Sequence, residues 1–215
     1  MKTDDKTVRV GVYEDSPWTL THTGRKLIYL EPTVDMISID DIVYSTGNLC
    51  RFTGATSQFY SVAQHSVMVC KLVRELLDDA LWENHTEAYW NQILAGLLHD
   101  AAEAYINDLA SPLKVAINGR YKEIENGLLA TVFNAFEVPF NYMNAIVKQA
   151  DNMAIQIERY YFMPDHPEWP KVSDDQMTYP KPPFRDPISA AKIMHAEIMY
   201  AMVKREDARL RMVPQ

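Results

Sequence analysis

A histidine and an aspartate stand side by side, His99-Asp100, in a segment that is otherwise apolar, with Leu94, Leu97, Leu98 and Ala101 around them. The apolar periodicity predicts a helix from about Thr86 to Tyr105, ending in a break from Asn107 to Pro112. Both side chains are therefore expected to be partly buried. Burying an unpaired carboxylate is costly, and folded chains avoid it by pairing the charge or placing it on a metal ion. Two more residues break the pattern in the same way. His65 falls on the apolar face of a helix that carries Val62, Val69, Val73 and Leu76, and Asp151 lies beside Ala150, Ala154 and Ile155, on the side of Val147 and Glu158.

Each of these has an ordinary explanation when taken alone. A histidine on an apolar face is more often a hydrogen-bonded core residue than a ligand. A His-Asp dipeptide is common by chance, and Asp151 is within reach of Lys148. Together, in the order His, His-Asp, Asp on separate helices, they form a set of two imidazoles and two carboxylates. Such a mixed shell suits Mn, Co, Fe, Ni or Zn better than Mg. Four protein ligands on an octahedral ion leave positions open, as a catalytic site needs.

The surrounding chain reads as mostly helical. Val8 to Tyr13 alternates, Leu27 to Leu30 is short and apolar, and Ser16-Pro17 and Thr23-Gly24 are turn signals. Residues 1–37 are thus expected to form a small extended or hairpin arm. Ser38 is the expected N-cap of a short helix with Asp40 and Asp41 in its first turn, and Ser61 that of the His65 helix. A loop is expected from Asp78 to Asn84. Tyr121 to Phe136 is amphipathic through Ile124, Leu128, Val132 and Phe136, and Asn141 or Asn144 opens a helix to about Phe162. Proline and aspartate make 163–185 a long loop. Asp186-Pro187 starts the last helix, covering 186–215 with its charged tail. Its stripe of Ile193, Met194, Ile198, Met199 and Met202 suits core packing and a subunit interface equally well. The expected architecture is one all-α domain over 1–215, with a catalytic helical core at 38–162.

Composition narrows the class of function. A formal net charge of -8 disfavours binding to a nucleic-acid polymer, while one local positive pocket for a small anion remains compatible with it. Two cysteines, Cys50 and Cys70, make no disulfide framework, and their apolar neighbours predict buried thiols. No apolar run is long enough to span a bilayer, and the charged N-terminus lacks a signal-peptide core, so a cytoplasmic protein with no membrane partner is expected. Trp18, Trp82, Trp90 and Trp169 belong to no motif and are expected to serve core or loop packing.

The pattern resembles the HD-domain metal-dependent phosphohydrolases, whose H…HD…D ligands correspond to His65, His99, Asp100 and Asp151. The resemblance runs from about Ser38 to Phe162. It is carried by RFTG (Arg51 to Gly54), YSVAQHS (Tyr60 to Ser66), LHDAAEAY (Leu98 to Tyr105) and DLASPLK (Asp108 to Lys114). These stretches are similar to those of bacterial 5'-deoxynucleotidases and of phage dATP triphosphohydrolases. The resemblance implies an HD-type helical bundle holding one divalent metal ion, with a second ion arriving with the substrate phosphates left open. It also implies a homo-oligomer and, were the chain phage-encoded, a place in the host cytoplasm.

It implies roles for the flanking residues too. Glu103, one helical turn past the ligand pair, would orient or deprotonate the attacking water, with Asp108 as a second acid. Arg51 and Lys114 would contact phosphate or sugar, which suits the paired donors of a guanidinium. Phe52 stands where the deoxynucleotidases carry a tryptophan that helps to exclude a ribose 2'-hydroxyl. Gln64 replaces a common acid. The expected activity is hydrolysis of 5'-phosphate from a 2'-deoxynucleotide, either a dNMP or a dNTP such as dATP. A triphosphate would call for further cations, for which Arg25, Lys26 and Arg120 are candidates. A non-catalytic module that senses a nucleotide is the alternative. A diiron oxygenase is less favoured, because no second set of histidines is evident.

Overall fold

In the computed structural model, residues 17–78, 86–117 and 119–212 are described. Val8 to Tyr13, Trp82 and most of the expected 78–84 loop lie outside them. The arm contains a two-stranded antiparallel hairpin, β1 (Trp18–Leu20) and β2 (Lys26–Ile28), with Thr19 opposite Leu27. Leu27 is thus in a strand as its apolar run suggests, but its partner is Trp18–Leu20, a stretch the sequence reading placed between turn signals. Thr23-Gly24 forms the turn, and Gly24 takes the left-handed backbone (φ 81°) that glycine adopts without strain. Thr23 then donates from its backbone N and its hydroxyl to the buried carboxylate of Asp41, at 2.6 and 2.9 Å, which docks the hairpin on the next helix.

The rest is helical. The elements are α1 (Ile39–Asn48), α2 (Val62–Asp78), α3 (Glu87–Leu98), α4 (Glu103–Ile106), α5 (Ser111–Ala116), α6 (Arg120–Ala135), α7 (Ala145–Phe162) and α8 (Pro187–Arg211). Several starts follow the capping chemistry. Asn144 accepts from Ile146 N and Asp186 from Ser189 N. Ser61 accepts from Gln64 N while Gln64 Oε1 accepts from Ser61 N, a reciprocal box that fixes the first turn of α2. Ser38 is the N-cap residue of α1, but its side chain makes no cap hydrogen bond.

One helix boundary differs from expectation, and it matters for the site. The predicted helix through Tyr105 ends at Leu98. Residues 99–102 form tight turns before α4 resumes, with bonds from Ala101 N to Leu98 O and from Glu103 N to Asp100 O, each spanning three residues. The loop expected between α7 and α8 is present and carries only an isolated bridge between His166 and Trp169.

A single apolar core joins these elements. α2 packs on α3 and α7, and α8 packs on α1, α2 and α3. Val69, Leu72, Val73, Leu94, Leu97, Leu98, Val147 and Ala154 meet in its centre. Met194 and Ile198 of the α8 stripe belong to that core, while Met199 is exposed. Cys70 is buried, and burial pushes its thiol up to about 12. Cys50 is exposed, contrary to the reading from its apolar neighbours. It lies in extended backbone, where successive side chains point to opposite sides, and it is Arg51 that turns inward.

Candidate metal centre

Four segments converge at one end of the core. α2 brings His65, the tight turn after α3 brings His99 and Asp100, α7 brings Asp151 and Glu158, and the turn after α1 brings Arg51. The turn after α3 has a specific geometric effect. Adjacent residues on a regular helix do not face each other, yet here His99 Nε2 and Asp100 Oδ2 are 3.2 Å apart. His65 Nε2 lies 3.2 Å from His99 Nε2 and 3.5 Å from Asp100 Oδ2. His65, His99 and Asp100 each present one donor atom, all within 4.8 Å of one another, so this cluster could hold a metal ion. Asp151 borders it. Its Oδ1 is 3.4 Å from His65 Nε2, and its Oδ2 takes the Lys148 ammonium at 3.0 Å. The ordinary pairing with Lys148 and the approach to the cluster therefore coexist, one on each oxygen.

The outer contacts of the two imidazoles set their orientation. His65 Nδ1 faces Glu158 Oε1 at 2.7 Å, and His99 Nδ1 faces the Gly96 carbonyl at 2.9 Å. Both acceptors call for a proton on Nδ1, which leaves both Nε2 lone pairs converging on one point. Two lone pairs 3.2 Å apart repel unless a proton or a metal cation lies between them. For metal–ligand bonds of about 2.1 Å and bond angles of 90–109°, donor atoms should be about 3.0–3.4 Å apart, which fits this spacing.

Charge supports the same fit. Carboxylates of Asp100, Asp151 and Glu158 lie within 3.5 Å of the imidazoles, and Asp108 and Glu103 pair with the neighbouring cations Arg51 and Lys114. Burial and Arg51 both disfavour a charged imidazole at His65, yet Glu158 and Asp151 outweigh them and raise its pKa to about 10. Surroundings that stabilise an added proton so strongly also stabilise a metal cation. Burial would raise Asp100, but His99, His65 and Arg51 hold its carboxyl far below the usual range.

The flanking residues expected at the site are placed as follows. Arg51 is buried, not a surface arginine, with NH1 3.6 Å from Asp100 and 3.7 Å from Asp108, and NH2 3.4 Å from Glu158. A backbone bridge of Cys50 with Ser61 pins its loop to the start of α2. Glu103 is buried and its Oε2 has no hydrogen-bond partner among the described residues. Burial, then Asp100 and Asp108, pushes its pKa well above the usual carboxylate range. Asp108 is raised too, chiefly by burial. Lys114 pairs with Glu125 at 2.6 Å and reaches Glu103 at 3.5 Å. Phe52 sits in left-handed backbone beside Arg51, whose guanidinium carbon lies 5.4 Å from the centre of its ring. Arg25 is occupied by the carbonyls of Asp35 and Ile37, Lys26 lies over the Trp18 ring, and Arg120 pairs with Glu123 in solvent.

Two contributors were not singled out from the sequence. For Glu158 the sequence offers one signal, a helix face shared with Asp151 seven residues earlier. Trp169 packs in its loop against the Arg159 guanidinium, as expected, but it also stays half exposed, with its ring 6.3 Å from that of Phe52. A cavity of about 330 Å³ on another face of α2, lined by Gln64, Met68, Lys71, Arg185 and others, includes none of the cluster residues.

The fold and this cluster define a helical protein with a candidate metal centre. No model of a known protein family matches the chain. Among curated proteins it is similar to the uncharacterized protein YfdR of Escherichia coli K12, 37% identical over 139 residues, or 65% of this chain and 68% of YfdR. It is also similar to an uncharacterized protein of Rhodobacter capsulatus, 34% identical over 146 residues, or 66% of this chain and 70% of that protein. The chain belongs to the family of YfdR. No helix among the described residues is long and apolar enough to cross a membrane.

Proposed function

We propose that the protein is a metal-dependent phosphohydrolase that removes 5'-phosphate from 2'-deoxynucleotides. The observation that carries this reading is Glu103: a buried carboxyl with one unsatisfied oxygen and a raised pKa, beside a cluster of metal-ligating type. Such a group is matched to proton transfer. The motif resemblance to the 5'-deoxynucleotidases and phage dATP triphosphohydrolases supports the same chemistry and names the substrate class.

His65, His99, Asp100 and Asp151 would hold one divalent ion, and the two imidazoles favour Mn, Co, Fe, Ni or Zn over Mg. Such an ion would supply Lewis acidity and lower the pKa of water, and its charge would favour the ionised form of Glu103. Glu103 Oε2 takes a proton from the attacking water as its oxygen bonds to phosphorus. The bond from phosphorus to the 5'-oxygen breaks, and Asp108 protonates the departing oxygen. Arg51, oriented by Glu158, neutralises the charge of the phosphoryl group, aided by Lys114.

The placement of cations favours a monophosphate over a triphosphate. Arg51 and Lys114 make their pairs with carboxylates at or next to the cluster, whereas Arg25, Lys26 and Arg120 make their contacts with residues outside it. Phosphate release from dAMP, dATP and AMP, each with Mn, Co, Zn and Mg, tests the reading. Turnover of dAMP is expected to exceed that of dATP. Turnover of none overturns the hydrolase, and binding without turnover turns the reading to a nucleotide-sensing module.

A further inference from the structure

Trp169 lies in the loop between α7 and α8, and 46% of its surface is exposed. An indole on a loop would usually bury itself or swing free. This one is held in place. A turn closes from Trp169 N to His166 O at 3.0 Å. Arg159, a buried residue next to Glu158 on α7, donates to the carbonyls of Trp169 and Pro170. Its guanidinium carbon stacks 3.6 Å from the centre of the Trp169 ring. A guanidinium braced against one part of an indole keeps it rigid while the rest stays open.

The ring of Phe52 is 6.3 Å from that of Trp169 and tilted by 49°. Phe52 and the next residue, Thr53, have φ of 52° and 53°. That conformation is unfavourable for residues with a Cβ, and it persists where surrounding structure enforces it, often at binding sites. Phe52 also neighbours the Arg51 guanidinium, whose NH1 is 3.6 Å from Asp100. A continuous series thus leads inward from the surface, through Trp169, Phe52 and Arg51, to the candidate metal centre.

We propose that Trp169 and Phe52 form an aromatic platform on which the base of a nucleotide stacks while its phosphate lies at Arg51. The inference rests on the deoxynucleotide reading above and extends it to the base. Every nucleobase has a π-face, so a stacking platform tolerates base identity. The protein is therefore expected to accept purine and pyrimidine nucleotides with modest discrimination and to disfavour substrates with no base.

The test compares dAMP with 2-deoxyribose 5-phosphate, which has the sugar and the phosphate but no base. The ratio of kcat/KM for dAMP to that for 2-deoxyribose 5-phosphate is measured on the full chain with Mn, for the wild type, Trp169→Ala and Trp169→Phe. The ratio is expected to fall about 10- to 100-fold in Trp169→Ala, mainly through KM, and to recover largely in Trp169→Phe. An unchanged ratio in Trp169→Ala overturns the platform and leaves the hydrolase reading standing. If the wild type turns over neither compound, the hydrolase reading falls, and the ratio of dissociation constants for the two compounds decides the platform by the same criterion. Binding of neither overturns the platform as well. A folding defect of the alanine variant lowers the rates for both compounds alike and leaves their ratio unchanged, so it cannot pass for loss of stacking.

Discussion

Glu158 Oε1 accepts the Nδ1 proton of His65 at 2.7 Å, and both side chains are wholly buried. The other oxygen of Glu158 lies 3.4 Å from Arg51. One carboxylate on α7 thus sets the ring orientation of a candidate metal ligand on α2 and the position of the cation nearest the cluster. Burial alone would raise the Glu158 pKa, but His65 and Arg51 hold it below the usual range, so it remains an acceptor.

Replacing that acceptor should therefore act through the ligand it orients. Glu158→Gln keeps the shape and removes the charge. Metal affinity is expected to fall about 10- to 100-fold, the usual effect of losing an outer partner of a metal-ligating histidine. Titration with Co, followed by absorbance and by metal content after dialysis, reads the change. Unchanged affinity in a folded variant would show that Glu158 does not position His65 for a metal.

Glu103 should separate chemistry from binding. Its Oε1 lies 3.5 Å from the Lys114 ammonium, and its Oε2 has no hydrogen-bond partner among the described residues. Glu103→Gln is expected to lower dAMP turnover by about 10²- to 10⁴-fold while bound metal stays at the wild-type level. The variant also removes a carboxyl that crowds Asp100 and Asp108, so its melting temperature should not fall. Full turnover in Glu103→Gln would falsify its role as the base.

These two glutamates show what could be read from the chain and what could not. The role proposed for Glu103 came from the family resemblance, but its nearness to Asp100 was legible because the two are three residues apart, and a tight turn joins them through Glu103 N and the Asp100 carbonyl. Asn144 and Asp186 were legible as caps for the same reason. The role of Glu158 depends on how α7 packs against α2, and helical periodicity gives a face without naming its neighbour. Trp169 depends on a contact between the loop after α7 and the turn after α1, which no local pattern reports. The break after Leu98 was hidden by its composition, since His99 to Ala102 contains no glycine or proline. It becomes intelligible once the side chain of His99 is seen bonded to the Gly96 carbonyl.

Gly47 marks another contact that only the fold reveals. It lies inside α1, where alanine would ordinarily add up to about 1 kcal/mol of helix stability. A Cβ there would stand 2.7 Å from the Pro187 carbonyl oxygen and 3.0 Å from the Ala191 Cβ on α8. A backbone oxygen cannot swing aside as a flexible side chain can, so α8 would have to move. Overpacking of this kind costs about 1–3 kcal/mol, and Gly47→Ala is expected to be destabilising on balance. Urea unfolding at neutral pH measures it, and a variant as stable as the wild type would show that α1 and α8 can separate freely.

Asp186 links the start of α8 to pH. Its carboxylate accepts from Ser189 N at 2.9 Å and from Ser189 Oγ at 2.6 Å, and these bonds hold its pKa below the ordinary 3.8. A carboxyl whose folded pKa lies below its unfolded value adds stability that is fully present above the unfolded pKa. That stability is lost as the pH falls through the folded pKa. Asparagine caps a helix about as well and does not titrate in this range. Asp186→Asn is therefore expected to be less stable than, or equal to, the wild type at pH 7, and to gain on it as the pH falls below about 4. Thermal melts of both proteins from pH 7 to pH 3 test this. Other carboxylates titrate alike in the two proteins, so the difference between their melting temperatures isolates position 186. A difference that does not change with pH would mean that the charge of Asp186 contributes nothing to the start of α8 beyond the hydrogen bonds an amide can supply.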